Sequence, residues 1–457
     1  MATGVSRLAV GLIVLSLNCL LSAADVAPKT NAEILQAWLT AYNKGDPASL
    51  TAFQKDYLGK SNIRFEQDSR EETGGFVLDR IEVDEPSQLT ALIRERDRSG
   101  FWHLTLQRNS SGDPILRNVN YLPVAVSQDE ALAALSAFGD KLAALDKFSG
   151  VVTIAKGGRT IFAKAWGLAD RTARKPVTLD TPFYFASQGK MFTAVSILQL
   201  IEANKLSLDD PIGKYLTDYP NPDMAKVTVR QLLTHQGGAG EMGILEPQDA
   251  QNRESVRSIA DIIILNGSRG PAFPPGSKYE YSNYGFLLLG ALVETISGQS
   301  YYDYVESHIF RPAGMTHTRF PLREDTSMAI AYTNMGGGSI RSAMNQLPWR
   351  GTPAGGGVST ASDMERFVTA LKTAKLISPA MVAEATKIQS KQYGYGFISS
   401  GFYGFPYWGH GGGAEGMSLV LNYYSANDTT FVCESNRDPP ICDRIAFNYL
   451  FRSPKSP

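Results

Sequence analysis

The sequence predicts an α+β protein: one antiparallel sheet, flanked by helices and interrupted by a helical subdomain, preceded by a smaller α+β domain. Three observations predict it. Strand-like alternation appears at 151–166 and again across 395–434, with a long and mostly helical middle between. A separate helix-then-strands pattern occupies residues 28–124. A boundary near 123–128 divides the two, so the larger domain is expected over 130–453.

The elements follow in order. Arg7, an apolar run over 8–21 and the small residues Ser22-Ala23-Ala24 have the three regions of a secretory signal peptide, so residues 1–24 are expected to be removed and the protein to be secreted or periplasmic. The run is shorter than the roughly 20 residues that cross a bilayer, so no membrane span is expected after cleavage. Over 31–43, Ile34, Leu35, Trp38, Leu39 and Tyr42 recur at helical spacing. Leu89, Ala91 and Ile93 alternate as in a strand, as do Trp102, Leu104 and Leu106, and a turn at 109–114 leads to a further strand at 115–124. In the larger domain, Leu132, Leu135, Phe138, Leu142 and Leu145 form one apolar helical stripe. Lys156-Gly157-Gly158 joins a hairpin of 151–155 with 160–166. A helix is expected at 362–372, strands at 395–399, 407–410, 417–423 and 429–434, and a closing helix at 443–451.

Composition narrows the function. A chain of 457 residues with 43% hydrophobic and 19% charged residues can build a substantial core. Its formal net charge of −1, with no basic run, gives no reason to expect nucleic acid as a partner. Five scattered histidines supply no metal-ligand cluster. Cys433 and Cys442 flank a turn-rich stretch, and either a disulfide or two core thiols would suit that spacing.

The chemistry begins at Ser187-Gln188-Gly189-Lys190, the one Ser-x-x-Lys in the chain, set just before an apolar helical run. On a helix, residues three apart share a face, so the hydroxyl of Ser187 and the amine of Lys190 can exchange a proton. A serine beside an unprotonated lysine at a helix N-terminus is an activated nucleophile. Such a pair needs a proton relay and an oxyanion hole. Tyr281-Ser282-Asn283 follows a Pro-Pro-Gly turn and precedes an apolar helix, which fixes Tyr281 at a helix entrance; Tyr219 and Tyr332 begin similar tripeptides without that context. Trp408-Gly409-His410-Gly411-Gly412-Gly413 ends a strand, and its glycines let a substrate approach closely while His410 supplies a polar or cationic group. His235 reads instead as the C-terminal cap of a helix at 229–234.

These three motifs, in this order, resemble those of the serine β-lactamases and penicillin-binding proteins, in the class C-like branch that also holds esterases, D-amino-acid peptidases and D-alanyl-D-alanine carboxypeptidases. Stretches 229–235, 309–315 and 355–360 are similar too, and the resemblance spans 132–451. It implies a β-lactamase-like fold, with Ser187 as nucleophile, Lys190 as its base and Tyr281 as proton shuttle. Asn283, His410, Gly412 and Gly413 would bind substrate, and the backbone N–H groups of Ser187 and Gly413 would form the oxyanion hole. Acylation followed by hydrolysis implies no cofactor and no metal, and a small-molecule or peptide-like acyl substrate. The first domain resembles the nuclear-transport-factor and ketosteroid-isomerase superfamily in its order of elements.

His410 stands where β-lactamases of this branch carry lysine. It brings less positive charge, which favours esters or D-amino-acid amides over penicillins. β-Lactamase or carboxypeptidase activity is the alternative. A penicillin-recognising sensor that acylates without turnover would carry the same motifs.

Overall fold

The computed structural model describes residues 30–57, 63–97, 100–109, 112, 114–122, 126–245, 249–402 and 405–454. The expected signal peptide at 1–24 lies outside them. The chain divides into two compact units, the first ending at Leu122 and the second starting at Pro123.

The first unit is three helices followed by an antiparallel sheet. Helix α1 (Asn31–Lys44) opens with a capping box between Thr30 and Glu33 and stops at Gly45, in the left-handed conformation. Its stripe of Ile34, Leu35, Trp38, Leu39 and Tyr42 is buried as the spacing predicts. Helices α2 (Pro47–Tyr57) and α3 (Ile63–Thr73) follow. The sheet runs β1 (Phe76–Glu85), β2 (Gln88–Glu95), β3 (Phe101–Arg108), β4 (Pro114–Leu122), each strand paired with its neighbour in sequence. Leu89, Ala91, Ile93, Leu104 and Leu106 face α1 and complete the core of this unit.

The second unit begins with α4 (Gln128–Ala144), whose Leu132, Leu135, Phe138 and Leu142 pack with the hairpin β5 (Gly150–Lys156) and β6 (Arg159–Trp166), whereas Leu145, expected in the same stripe, follows the helix end and is exposed. Its four remaining long strands come from the far end of the chain: β7 (Ile398–Phe402), β8 (Phe405–Ala414), β9 (Met417–Tyr424) and β10 (Thr429–Ser435). All pairings are antiparallel, in the order β7-β8-β9-β10-β5-β6, so β10 lies between β9 and β5, with Val432 opposite Thr153. Helices α5 (Gly189–Glu202), α6 (Val229–Leu233), α7 (Asn283–Ser297) and α8 (Ala361–Lys372) are joined in one core with one face of this sheet. Helix α4 and the closing helix α9 (Ile441–Leu450) cover the other. This is the α+β architecture the sequence predicts, an antiparallel sheet assembled from chain-distant pieces with helices inserted between.

Two strand boundaries differ from expectation. The strand expected from 395 starts at Ile398, because Gly396 adopts φ +77 and a Cβ there would stand 2.3 Å from Ala194 Cβ. The strand expected to end at His410 continues through Gly411, Gly412 and Gly413, which pair with Val420, Leu419 and Ser418. The third motif is therefore strand, not loop. Cys433 and Cys442 are two free, buried thiols, and Cys442 Sγ donates to Ser418 O. Of the two arrangements open to the sequence, the structure has the unlinked one. Among the described residues no helix is long and apolar enough to cross a membrane.

Candidate active site

Ser187 sits in a short 3-10 turn, Ala186–Gln188, that feeds directly into α5. Ala186 is held at φ +42, a backbone conformation costly for a residue with a Cβ, at the position before the nucleophile. Helix α5 is apolar on all sides and wholly buried from Gly189 to Leu198, so its first turn has little freedom.

Lys190 is 0% exposed. Its amine lies 3.3 Å from Ser187 Oγ, 2.7 Å from Asn283 Oδ1 and 2.8 Å from Ala354 O, and 4.7 Å from the centroid of the Tyr281 ring. Burial lowers its pKa to about 7, with the Glu241 carboxylate pulling in the opposite direction. Near neutral pH a large fraction of this lysine therefore carries the lone pair that a general base needs.

Tyr281 directly precedes Ser282, the N-cap of α7. Ser282 caps that helix, accepting the Gly285 N–H at 2.9 Å and donating to Gly240 O at 2.6 Å. Burial raises the Tyr281 pKa, while a hydrogen bond with Ser187 opposes the shift, so the phenol stays protonated beside the serine. Asn283 holds Lys190 through Oδ1 and donates through Nδ2 to Glu241 Oε2 at 2.8 Å. The sequence gives no signal for Glu241, an exposed carboxylate on a connecting loop. The other Tyr-x-Asn tyrosines are engaged elsewhere, Tyr219 with the Tyr284 hydroxyl and Tyr332 with the Arg171 N–H.

The third motif is brought against the first. A Cβ at Gly412 would lie 3.0 Å from Phe185 O and 3.1 Å from Ala186 Cβ, so a larger residue would fit this approach of β8 to the Ser187 turn only if those neighbours gave by a few tenths of an ångström. Gln188 Nε2 donates to His410 O at 3.2 Å and ties the two segments. His410 itself is 2% exposed. Its Nδ1 donates to Gly411 O, leaving Nε2 to accept the Tyr393 hydroxyl at 2.9 Å. Burial foremost, then the Lys190 charge, lowers its pKa to about 3. Of the polar or cationic character open to this position, the structure has the polar one: the ring is neutral and both its nitrogens are occupied.

A cavity of about 180 Å³ opens beside Ser187, lined also by Asn283, Gly413, Met242, Leu347, Met417 and Glu415. The structure thus brings Ser187, Lys190, Tyr281, Asn283 and the 410–413 strand together; Gly413 lines the cavity, whereas His410 and Gly412 do not. Sequence reasoning missed Glu241, Ala354, Tyr393 and the location of His235, which sits under Tyr281 with their ring centroids 4.3 Å apart. Each is positioned by contacts distant in sequence, and no local pattern marks them. Among the described residues no group of three or more His, Cys, Asp or Glu side chains is arranged to hold a metal ion.

The chain is similar in sequence and fold to known proteins. The β-lactamase family model matches residues 138–450. The chain is 30% identical to a putative penicillin-binding protein, PbpX, of Bacillus subtilis (strain 168), over 63% of this chain and 71% of that protein. It is also 30% identical to a D-aminopeptidase of Brucella anthropi, over 58% of this chain and 52% of that protein. The crystal structure of a penicillin-binding protein from Bacillus halodurans superposes with a TM-score of 0.60 at 29% identity, covering 67% of this chain and 97% of that one. The chain therefore belongs to the β-lactamase family, within the class C-like branch of the β-lactamase and penicillin-binding-protein superfamily of hydrolases.

Proposed function

We propose that this protein is a serine hydrolase that forms an acyl-enzyme on Ser187 and acts on esters or on amides of D-amino acids. The observation that carries the reading is the Lys190 amine, wholly buried, 3.3 Å from Ser187 Oγ and lowered to a pKa of about 7. As Ser187 Oγ attacks the carbonyl, its proton passes to Lys190. The N–H groups of Ser187 and Gly413 receive the developing oxyanion. The Tyr281 phenol donates its proton to the departing alkoxide or amine and is reprotonated from Lys190. Water then attacks the acyl-enzyme with the proton transfers reversed, which returns Ser187 free.

Two features support the substrate class. The Glu241 carboxylate, exposed and 2.8 Å from Asn283 Nδ2, attracts the ammonium of an aminoacyl group. The neutral His410 offers no cation to the carboxylate of a penicillin. A relative that is a D-aminopeptidase supports the same direction. The segment 1–24 supports export of the mature protein.

The test is time-resolved intact mass of the mature protein and of Ser187→Ala, mixed in turn with a short activated ester, a D-alanyl amide and a penicillin. A transient adduct on the wild type alone, followed by product release from ester or amide, is the expected result. A penicillin adduct that persists, with no turnover of the others, would assign a sensor role instead. Equal turnover by Ser187→Ala would reject the nucleophile.

A further inference from the structure

The residue the sequence offers only as a helix cap brackets the tyrosine of the site. His235 follows α6 with φ +57 and is 1% exposed. Its backbone carbonyl accepts the Glu280 N–H at 2.9 Å, and its Nδ1 accepts the Ser282 N–H at 3.0 Å. The residues on both sides of Tyr281 are therefore fastened to the same histidine, one through its backbone and one through its side chain. Between these two ties the Tyr281 ring lies on the imidazole, with centroids 4.3 Å apart and planes inclined by 36°. Tyr393 and Phe286 close around the same imidazole at 4.5 and 5.1 Å.

We infer that His235 is a positioning residue for Tyr281, holding the phenol against Ser187 and Lys190 through the Nδ1 acceptor and the ring stack. The inference rests on the reading above, in which Tyr281 relays protons. An acceptor at Nδ1 requires the proton on Nε2, and Nε2 is buried with no hydrogen-bond partner among the described residues. The imidazole must then stay uncharged, because a second ring proton would turn the Nδ1 acceptor into a donor facing the Ser282 N–H. The surroundings enforce this: burial foremost, with the Lys190 charge adding to it, lowers the His235 pKa well below the ordinary histidine range. The left-handed backbone conformation also limits replacement, since Asn tolerates it better than other side chains that carry an acceptor.

The experiment compares His235→Asn with His235→Gln, each alone and combined with Tyr281→Phe, using turnover of a short activated ester with kcat and KM resolved and thermal melting as the check on folding. Asn sets its Oδ1 close to where Nδ1 stands, whereas the longer Gln carries its acceptor past the Ser282 N–H. The expected result is a kcat loss on the order of 100-fold for His235→Gln with little change in KM, largely recovered by His235→Asn. Combining His235→Gln with Tyr281→Phe should add almost nothing to the loss from Tyr281→Phe alone, because the histidine acts through that phenol. Equal kcat for Asn and Gln, or a Gln penalty undiminished on the Tyr281→Phe background, overturns the inference while leaving the tyrosine's role intact. Wild-type turnover by Tyr281→Phe instead rejects the tyrosine reading and this inference with it. A second measurement needs no variant: long-range 1H–15N correlation of the wild-type imidazole should show the proton on Nε2 near neutral pH, and a proton on Nδ1 would exclude the clamp even if the glutamine chain does not fold.

Discussion

At the scale of single residues, the site turns on how burial sets protonation. Lys190 is lowered to about 7 because its ammonium has lost water, and it stays that high in part because Glu241 stabilises the charge. The sign of the pH dependence follows. The lone pair of Lys190 is present above its pKa and lost below it, so the acylation rate should rise as pH climbs through about 7 and vanish on the acid side. Replacing the carboxylate removes the group that favours the charged amine, so Glu241→Gln should move the midpoint of that limb to lower pH while the Asn283 contact is kept through the amide oxygen. Stopped-flow acylation across pH 5 to 9 is the check, and a midpoint that moves upward would contradict the electrostatic account. His410 and Tyr281 follow the same logic with different outcomes. Burial keeps the imidazole neutral and the phenol protonated, so neither supplies a fixed charge near Ser187.

At the scale of elements, α5 carries the nucleophile because its core side is over-determined. Phe192 meets Phe185, Phe310 and Phe367 edge to face at 5.3, 5.1 and 4.9 Å. Phe192→Ala should cost about 3–5 kcal/mol, read as a lowered midpoint in denaturant with an unchanged slope. The unlinked cysteines give a second test. With residues 1–24 removed, Cys433 and Cys442 should resist a thiol reagent in the native protein and titrate as two thiols after unfolding without reductant; no reactive thiol on unfolding would mean a disulfide. The elements also show what a sequence can and cannot convey. Helix α1, the β5–β6 hairpin, β9 and β10 were legible because their apolar periods match their faces. Helix α3 was not, since Ile63 to Thr73 is polar over most of its length. The strand character of Gly411 to Gly413 was hidden because glycine has no side chain to alternate. The ordered motifs made Ser187, Lys190 and Tyr281 legible as candidates. His235 was not, because its cap conformation is local whereas its contact with Tyr281 is made only in three dimensions.

At the scale of the whole molecule, each unit has a core of its own, and the residues of the candidate site all belong to the second. A fragment starting at Val126 should therefore fold and retain ester turnover, checked by circular dichroism and by kcat/KM against the full chain; an unfolded fragment would show that the first unit is required for stability. The central position of β10 has a different consequence, one that concerns time. A ribosome makes β5 and β6 first, and β10, which pairs with the other edge of β5, only after residues 167–428. Through that interval the first hairpin of the sheet waits with the β5 edge open, an arrangement exposed to pairing with another nascent chain. Order of manufacture and order of assembly are opposed in this protein, and a premature stop anywhere between Trp166 and Thr429 should yield insoluble product instead of a partly active fragment.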